Sequence, residues 1–335
     1  MIRPAPASAN VHAPDEPATA RAPRKMRVLV LGGTGFVGRH VVARLSAAGH
    51  EVVVVTRRRD RGRPLFLLPT VQVRQGDPHD RATLGRLARG AAAAINLVGV
   101  LHARTRDTFE RVHVDLVRTL VDACRDAGVP RVVHMSAQGA SASAASAYLR
   151  SKAAGEDVIT GSGLAWTIFR PSVIFGSGDT FLNLFAKLAA MFPVIPLAAA
   201  GARFQPVYVG DVAACFAHAV VDDATIGQRY ALCGPTAYTL EDLVRYVADT
   251  SGHPRPIVPL GPGLAQLQAR VLELLPGPLL TRDNLASMQH DNVCDAPFPA
   301  EFAIRPAPLE AIAPEYLAPI SQKSRFDVFR ARDTQ

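Results

Sequence analysis

Residues 28–41 read VLVLGGTGFVGRHV, and this stretch decides the fold. A β-branched apolar run ends at Leu31, glycines follow at Gly32, Gly35 and Gly38, and a helical pattern opens near Phe36. The order is strand, tight turn, helix N-terminus. Glycines permit the turn, let backbone approach a bound phosphate and let helix pack closely on strand, while the helix N-terminus offers N–H groups and a partial positive charge. The turn therefore reads as a dinucleotide-binding loop, with Thr34, Phe36, Val37 and Arg39 beside the three glycines as candidate cofactor contacts. A glycine-rich strand-to-helix turn with no ligand is the plain alternative.

Outward from this loop the pattern repeats. RVLVLG, EVVVVT, VQVRQGD, AAAINLVG, RVVHMS and AWTIFRP read as strands, and helical patterns lie at 36–48, 80–89, about 107–128 and about 145–161. Short β-branched runs separated by amphipathic segments predict a parallel sheet covered on both faces. The expected class is α/β, a doubly wound Rossmann sheet over residues 26–176. Beyond Pro171, prolines break the chain into short pieces. Residues 177–335 are expected to form a smaller, mostly helical substrate region, a lid over the carboxyl edge of the sheet with returns to it. Residues 1–25, rich in Ala, Pro and Arg without apolar periodicity, are expected to be disordered. They lack the apolar stretch of a secretory signal, and Asp15 and Glu16 argue against a transit peptide.

No apolar run reaches the roughly 18–20 residues that span a bilayer, so the expected location is cytoplasmic. Against 29 acidic residues stand 37 basic ones, a net charge of +8, but the arginines are scattered and do not alternate with aromatics. That argues against nucleic acid, while a basic surface suits an anionic membrane face or a phosphorylated cofactor. Cys124, Cys215, Cys233 and Cys294 show neither CxxC spacing nor a histidine at ligand spacing. They read as small buried hydrophobes in a reducing compartment, with no metal site. The leucines of LAQLQARVLELLPGPLL, residues 264–280, suit packing on the sheet domain, or docking on lipid or a partner.

The end of the second strand decides which dinucleotide fits: a carboxylate there would bind a ribose 2′-hydroxyl, an arginine a 2′-phosphate. VVVVTRRRD places Thr56 and Arg57 at that point, which favours NADP(H), with NAD(H) the alternative. Arg58 and Arg59 read as solvated surface charge. Asp77, in QGD after the third strand, is either a contact to the adenine end or the N-cap of the helix behind it. Further on, YLRSK sets Tyr148 and Lys152 four apart on one helix face. An ammonium lowers the pKa of a neighbouring phenol, which can then exchange a proton with a carbonyl or hydroxyl while hydride moves at a nicotinamide. Lys152 can also hold the cofactor ribose, and Ser136, ending RVVHMS, can polarise the same carbonyl. His113 and His134 read as satisfied core or groove histidines, and Asp211 in VYVGDVA first as a helix N-cap.

Together, the early GxxGxxG, the strand ending in serine, the YxxxK pair and RPSVIFG resemble the extended, epimerase-like branch of the short-chain dehydrogenase/reductase superfamily. More narrowly, GGTGFVGRHVV, INLVGVL, HMSA, WTIFRPSVIFGSGD, QPVYVGDVA and LTRDNLASMQHDNV look like bacterial relatives of the nucleotide-binding accessory subunit of respiratory complex I. The similarity runs from about Met26 to about Val293. It implies NADP(H) on Gly32, Gly35, Gly38 and Arg57, an active-site pair in Tyr148 and Lys152, and a nicotinamide border beginning at Pro171. It also implies a carbonyl or quinone-type substrate to be reduced or epimerised, and contact with a respiratory complex or the inner face of its membrane. The chain departs from the pattern where Ala137 and Gln138 follow Ser136, and where His113 stands in place of a usual asparagine. The other reading the resemblance carries is a non-catalytic subunit stabilised by its nucleotide.

Overall fold

The structure, a computed structural model, describes residues 25–103, 107–273 and 280–318. Of residues 1–25, expected to be disordered, all but Lys25 lie outside the described residues. Strands form where the apolar runs stand: β1 (Arg27–Leu31), β2 (Glu51–Thr56), β3 (Val71–Gln75), β4 (Ala93–Asn96), β5 (Arg131–Met135) and β6 (Ala165–Pro171). A further strand, Gln228–Leu232, returns from the later chain and pairs parallel with β6. All seven make one sheet in the order Gln228–Leu232, β6, β5, β4, β1, β2, β3.

Between the strands lie α1 (Phe36–Ala47), α2 (Arg81–Ala88), α3 (Leu116–Ala127) and α4 (Ala147–Thr160). The β2–β3 connection is only a 3-10 turn at Arg59–Leu65. Side chains alternate across a strand, so Val28 and Val30 pack with Val41 and Leu45 of α1. Leu29 and Leu31 pack on the other face with Leu84 of α2 and Leu120 of α3. With both faces covered, β1, β2 and β4 are apolar nearly throughout, whereas β3, at the edge, reads VQVRQ and is only partly buried.

The later chain adds α5 (Phe181–Met191), α6 (Val209–Val221), α7 (Leu240–Thr250), α8 (Pro262–Glu273) and α9 (Arg282–Ser287). Val212 and Phe216 of α6 join the core under α1, while α5 and α7 close a separate core around Phe175, Leu182, Leu243 and Val247. Asp211 does not cap α6. It lies within the first turn, where its carboxylate accepts the Ala307 N–H at 2.8 Å. Because β1 lies between β2 and β4, the connections diverge at the carboxyl ends of β1 and β4. That divergence opens the crevice in which ligands of such sheets sit.

Candidate active site

The glycine loop has the conformation its sequence demands. Gly32 adopts φ +79°, and a Cβ there would fall 2.8 Å from the Leu97 carbonyl carbon. At Gly38 a Cβ would run into the Gly32 carbonyl oxygen and lie 2.6 Å from Gly33 Cα, so helix and loop touch backbone to backbone. The first intrahelical bond of α1 is Arg39 N–H to Gly35 O at 3.0 Å. No side chain caps that end of α1, and no acid occupies its first turn. The preceding N–H groups of the helix are thus presented at the crevice with the favourable end of the dipole, a fit for pyrophosphate.

At the end of β2, exposed Arg57 forms an ion pair with Asp107 at 3.1 Å. Burial, then the charge of Arg111, hold His79 below its ordinary range, with Asp77, Arg57 and Asp107 also acting on it. Two arginines, Arg57 and Arg111, and two carboxylates, Asp77 and Asp107, thus surround His79 near the end of β2. Asp77 is not the N-cap of α2: its carboxylate accepts the His79 N–H at 3.0 Å, and Asp80 takes the capping role through Ala82 N–H. Arg39 reaches toward the turn at Gly178, its Nη2 3.7 Å from where a Cβ would stand there. Arg58 pairs with Asp60 and Arg59 lies over Phe66, as surface charges do.

The Leu97–Gly99 segment links this loop to the second half of the site. A Cβ on Gly99 would stand 3.5 Å from Lys152 Nζ and 3.6 Å from His113 Nε2. Lys152 is buried and donates to the Met135 carbonyl at 2.8 Å. Burial pushes its pKa down to about 8, partly opposed by Glu156. The next residue, Ser136, is 3% exposed, and its hydroxyl has no hydrogen-bond partner among the described residues. Tyr148 packs its ring against Phe109 and His113, with centroids at 5.9 and 5.6 Å.

One expectation is corrected here. Burial pushes the Tyr148 hydroxyl up to about 12, where the spacing to Lys152 predicts it lowered. At neutral pH the phenol keeps its proton. Pro171 ends β6 and accepts the Gln138 N–H at 2.9 Å, tying the loops after β5 and β6 together at the crevice.

Two histidines and an aspartate gain parts that sequence reading did not give them. His113 sits in a π-helical turn, Arg111–Asp115, against which Gly155 of α4 packs so closely that a Cβ would strike the His113 carbonyl oxygen. Its Nε2 accepts the Val100 N–H at 3.1 Å, which leaves Nδ1 to donate to Ser151 Oγ at 2.8 Å, and that hydroxyl donates to Tyr148 O. Fully buried His134 takes Asn96 Nδ2 on Nδ1 at 3.2 Å, and its Nε2 has no partner among the described residues. Asp283 of α9 accepts the Ala147 and Tyr148 N–H groups at 2.6 and 3.1 Å, so a distant segment caps the helix that carries the pair. Only the motif LTRDNLASMQHDNV signalled that segment.

The reading of four free thiols is overturned. Cys233 and Cys294, 61 residues apart, form a disulfide, and a reducing compartment no longer follows from the cysteines. The fold brings them together because the 290s run back past Gln205, whose Oε1 accepts the Cys294 N–H. Cys124 and Cys215 are buried thiols as expected, and burial pushes Cys124 up to about 12.

Residues 32–181 match the NAD(P)H-binding family. Over 304 residues the chain is 31% identical to "NADH dehydrogenase [ubiquinone] 1 alpha subcomplex subunit 9, mitochondrial" of Mus musculus, covering 86% of this chain and 78% of that one. It is 39% identical over 188 residues to "Ceramide reductase" of Caulobacter vibrioides, covering 56% of this chain and 58% of that one. Among solved structures, an NADPH-dependent quinone oxidoreductase from Escherichia coli in complex with NADPH superposes with a TM-score of 0.70 at 19% identity, over 85% of this chain and 98% of that one. That last likeness is one of fold.

Proposed function

Because the chain belongs to the NAD(P)-binding short-chain dehydrogenase/epimerase-like family, together with subunit 9 of mitochondrial NADH dehydrogenase, we propose that it reduces a carbonyl group with NADPH. The observation that carries this reading is the Ser136 hydroxyl, buried without a partner among the described residues and next in the chain to Met135, whose carbonyl holds Lys152. An unsatisfied buried hydroxyl costs stability unless a ligand completes it. Here a substrate carbonyl would.

Reduced nicotinamide, when bound, supplies the hydride. Gly32, Gly35 and Gly38 with the start of α1, including Thr34, Phe36 and Val37, would hold the pyrophosphate. Arg57, with Asp77 beside the same histidine, and Arg39 at the start of α1 would bind the adenosine end. The exposed Arg57–Asp107 pair contributes little by itself, so the guanidinium can turn to a 2′-phosphate at small cost. Lys152, cationic below about pH 8, would favour negative charge developing on the substrate oxygen. Tyr148 would give that oxygen its proton, and Ser136 would orient it. A ketone or quinone-type group on an apolar substrate suits this arrangement, a reading supported by the relative named as a ceramide reductase and by the Phe109 and Tyr148 rings. We place the protein on the cytoplasmic side, peripheral to a membrane.

A second reading is favoured by a specific observation. Lys152 donates to the Met135 carbonyl, and burial raises the Tyr148 hydroxyl, which suits a subunit that keeps its nucleotide without turnover. One experiment separates the two. Nucleotide released from the purified protein is identified, and NADPH consumption is followed with a panel of ketones and quinones. In an enzyme, Tyr148→Phe lowers the rate by roughly 10²–10⁴ with nucleotide affinity nearly unchanged. A rate that survives Tyr148→Phe would remove the catalytic assignment.

A further inference from the structure

A surface helix ordinarily buries its leucines and exposes its polar side chains. In α8 the arrangement is reversed: Ala265 and Ala269 face inward, while Leu264, Leu267 and Val271 are 60%, 56% and 56% exposed. These three share one stripe of the helix. The stripe continues onto neighbouring elements. Gln268 of α8 donates to the Pro196 carbonyl at 3.0 Å, and Pro196 stands opposite Val258, 48% exposed, in the parallel pair Ile195–Leu197 and Ile257–Pro259. Met191 and Phe192 at the end of α5, 72% and 48% exposed, lead directly into that pair.

Cations outnumber carboxylates on the elements of this face, where α8 carries only Glu273 at its last position. Residues 187–197 and 252–272 contain no aspartate or glutamate, but they contain Lys187, Arg255 and Arg270. Arg255 is fixed at the edge of the patch by its bond to the Ala189 carbonyl at 2.9 Å. Among the described residues no helix is long and apolar enough to cross a membrane.

We propose that this face of the smaller region docks on an anionic phospholipid surface. Leu264, Leu267, Val271 and Met191 enter the acyl boundary, and the three cations meet lipid phosphates. Large apolar side chains flanked by three cations, with the one carboxylate of α8, Glu273, already paired with Arg282, match the headgroup boundary of an anionic bilayer, where apolar burial and electrostatic attraction act together. The proposal deepens the membrane-side part of the reading above, and it is measured without turnover.

The test is flotation of the full-length protein with vesicles of phosphatidylcholine alone or with about a third phosphatidylglycerol. The protein floats with the anionic vesicles, and added salt weakens the binding. Lys187→Gln with Arg270→Gln lowers the affinity by on the order of tenfold or more, from about 1 kcal/mol per cation at the surface. Leu264→Ser, Leu267→Ser and Val271→Ser together remove most of it, and unchanged thermal melts by circular dichroism show that both variants fold. Failure to float, equal binding to neutral vesicles, or variants that bind like the parent would overturn the proposal. So would a change of oligomeric state in the variants with no lipid binding by the parent, which would make the face a contact between copies. Vesicle binding by a protein that takes up no NADPH would leave the docking face standing and remove the cofactor reading.

Discussion

His113 stays neutral through the physiological range, because burial and then the charge of Lys152 push its pKa down to about 3 from an ordinary 6.5. The unfolded chain takes up a proton near pH 6.5 that the folded chain refuses until about 3. Stability is therefore fully present above 6.5 and is lost as pH falls through that window, by up to roughly 2 kcal/mol at about pH 5. His134 acts in the same direction. His113→Asn, which keeps a donor and an acceptor, should make the fall in melting temperature between about pH 7 and pH 5 shallower without abolishing it; an identical fall would show that His113 does not titrate on unfolding. Sequence placed His113 in a helix but not in the site, because its partners Val100, Ser151 and Tyr148 meet only when the loops after β4 and α4 converge. Ser136, Tyr148 and Lys152 were legible as residues from strand end and helical spacing. Their electrostatics were not, since the carbonyl that holds Lys152 belongs to Met135, 17 residues away.

At the scale of elements, two helical glycines make opposite predictions. Gly38 of α1 has the Gly33 backbone 2.6 Å from a would-be Cβ, and backbone cannot yield as a side chain can. Gly85 of α2 has nothing within 4 Å. Gly38→Ala should destabilise by about 1–3 kcal/mol and weaken nucleotide binding, whereas Gly85→Ala should stabilise by about 0.5–1 kcal/mol; urea denaturation of the two variants checks the signs. If both substitutions stabilised, the close contact between α1 and the glycine loop would be wrong. The first six strands and four helices could be read because each carries its own period or β-branched run. The strand Gln228–Leu232 could not. It is an edge strand that opens on two exposed polar residues, Gln228 and Arg229, and its place beside β6 depends on a crossover through α6. The Asp283 cap and the Cys233–Cys294 disulfide escaped for the same reason: each joins segments far apart in sequence.

For the whole molecule, the glycine loop, the Leu97–Gly99 segment and the Tyr148–Lys152 helix meet at one end of the sheet. A ligand that binds there and not to the unfolded chain must raise the melting temperature by mass action. Which ligand does so best is the central claim. Calorimetric titration of the full-length protein with NADPH and with NADH, repeated on Arg57→Ala, tests it most directly. The account predicts that NADPH binds at least tenfold more tightly than NADH and that Arg57→Ala erases most of that margin, since a hydrogen bond to a charged group contributes roughly 1.5–3 kcal/mol. Equal affinities for the two nucleotides, or no binding of either, would contradict it.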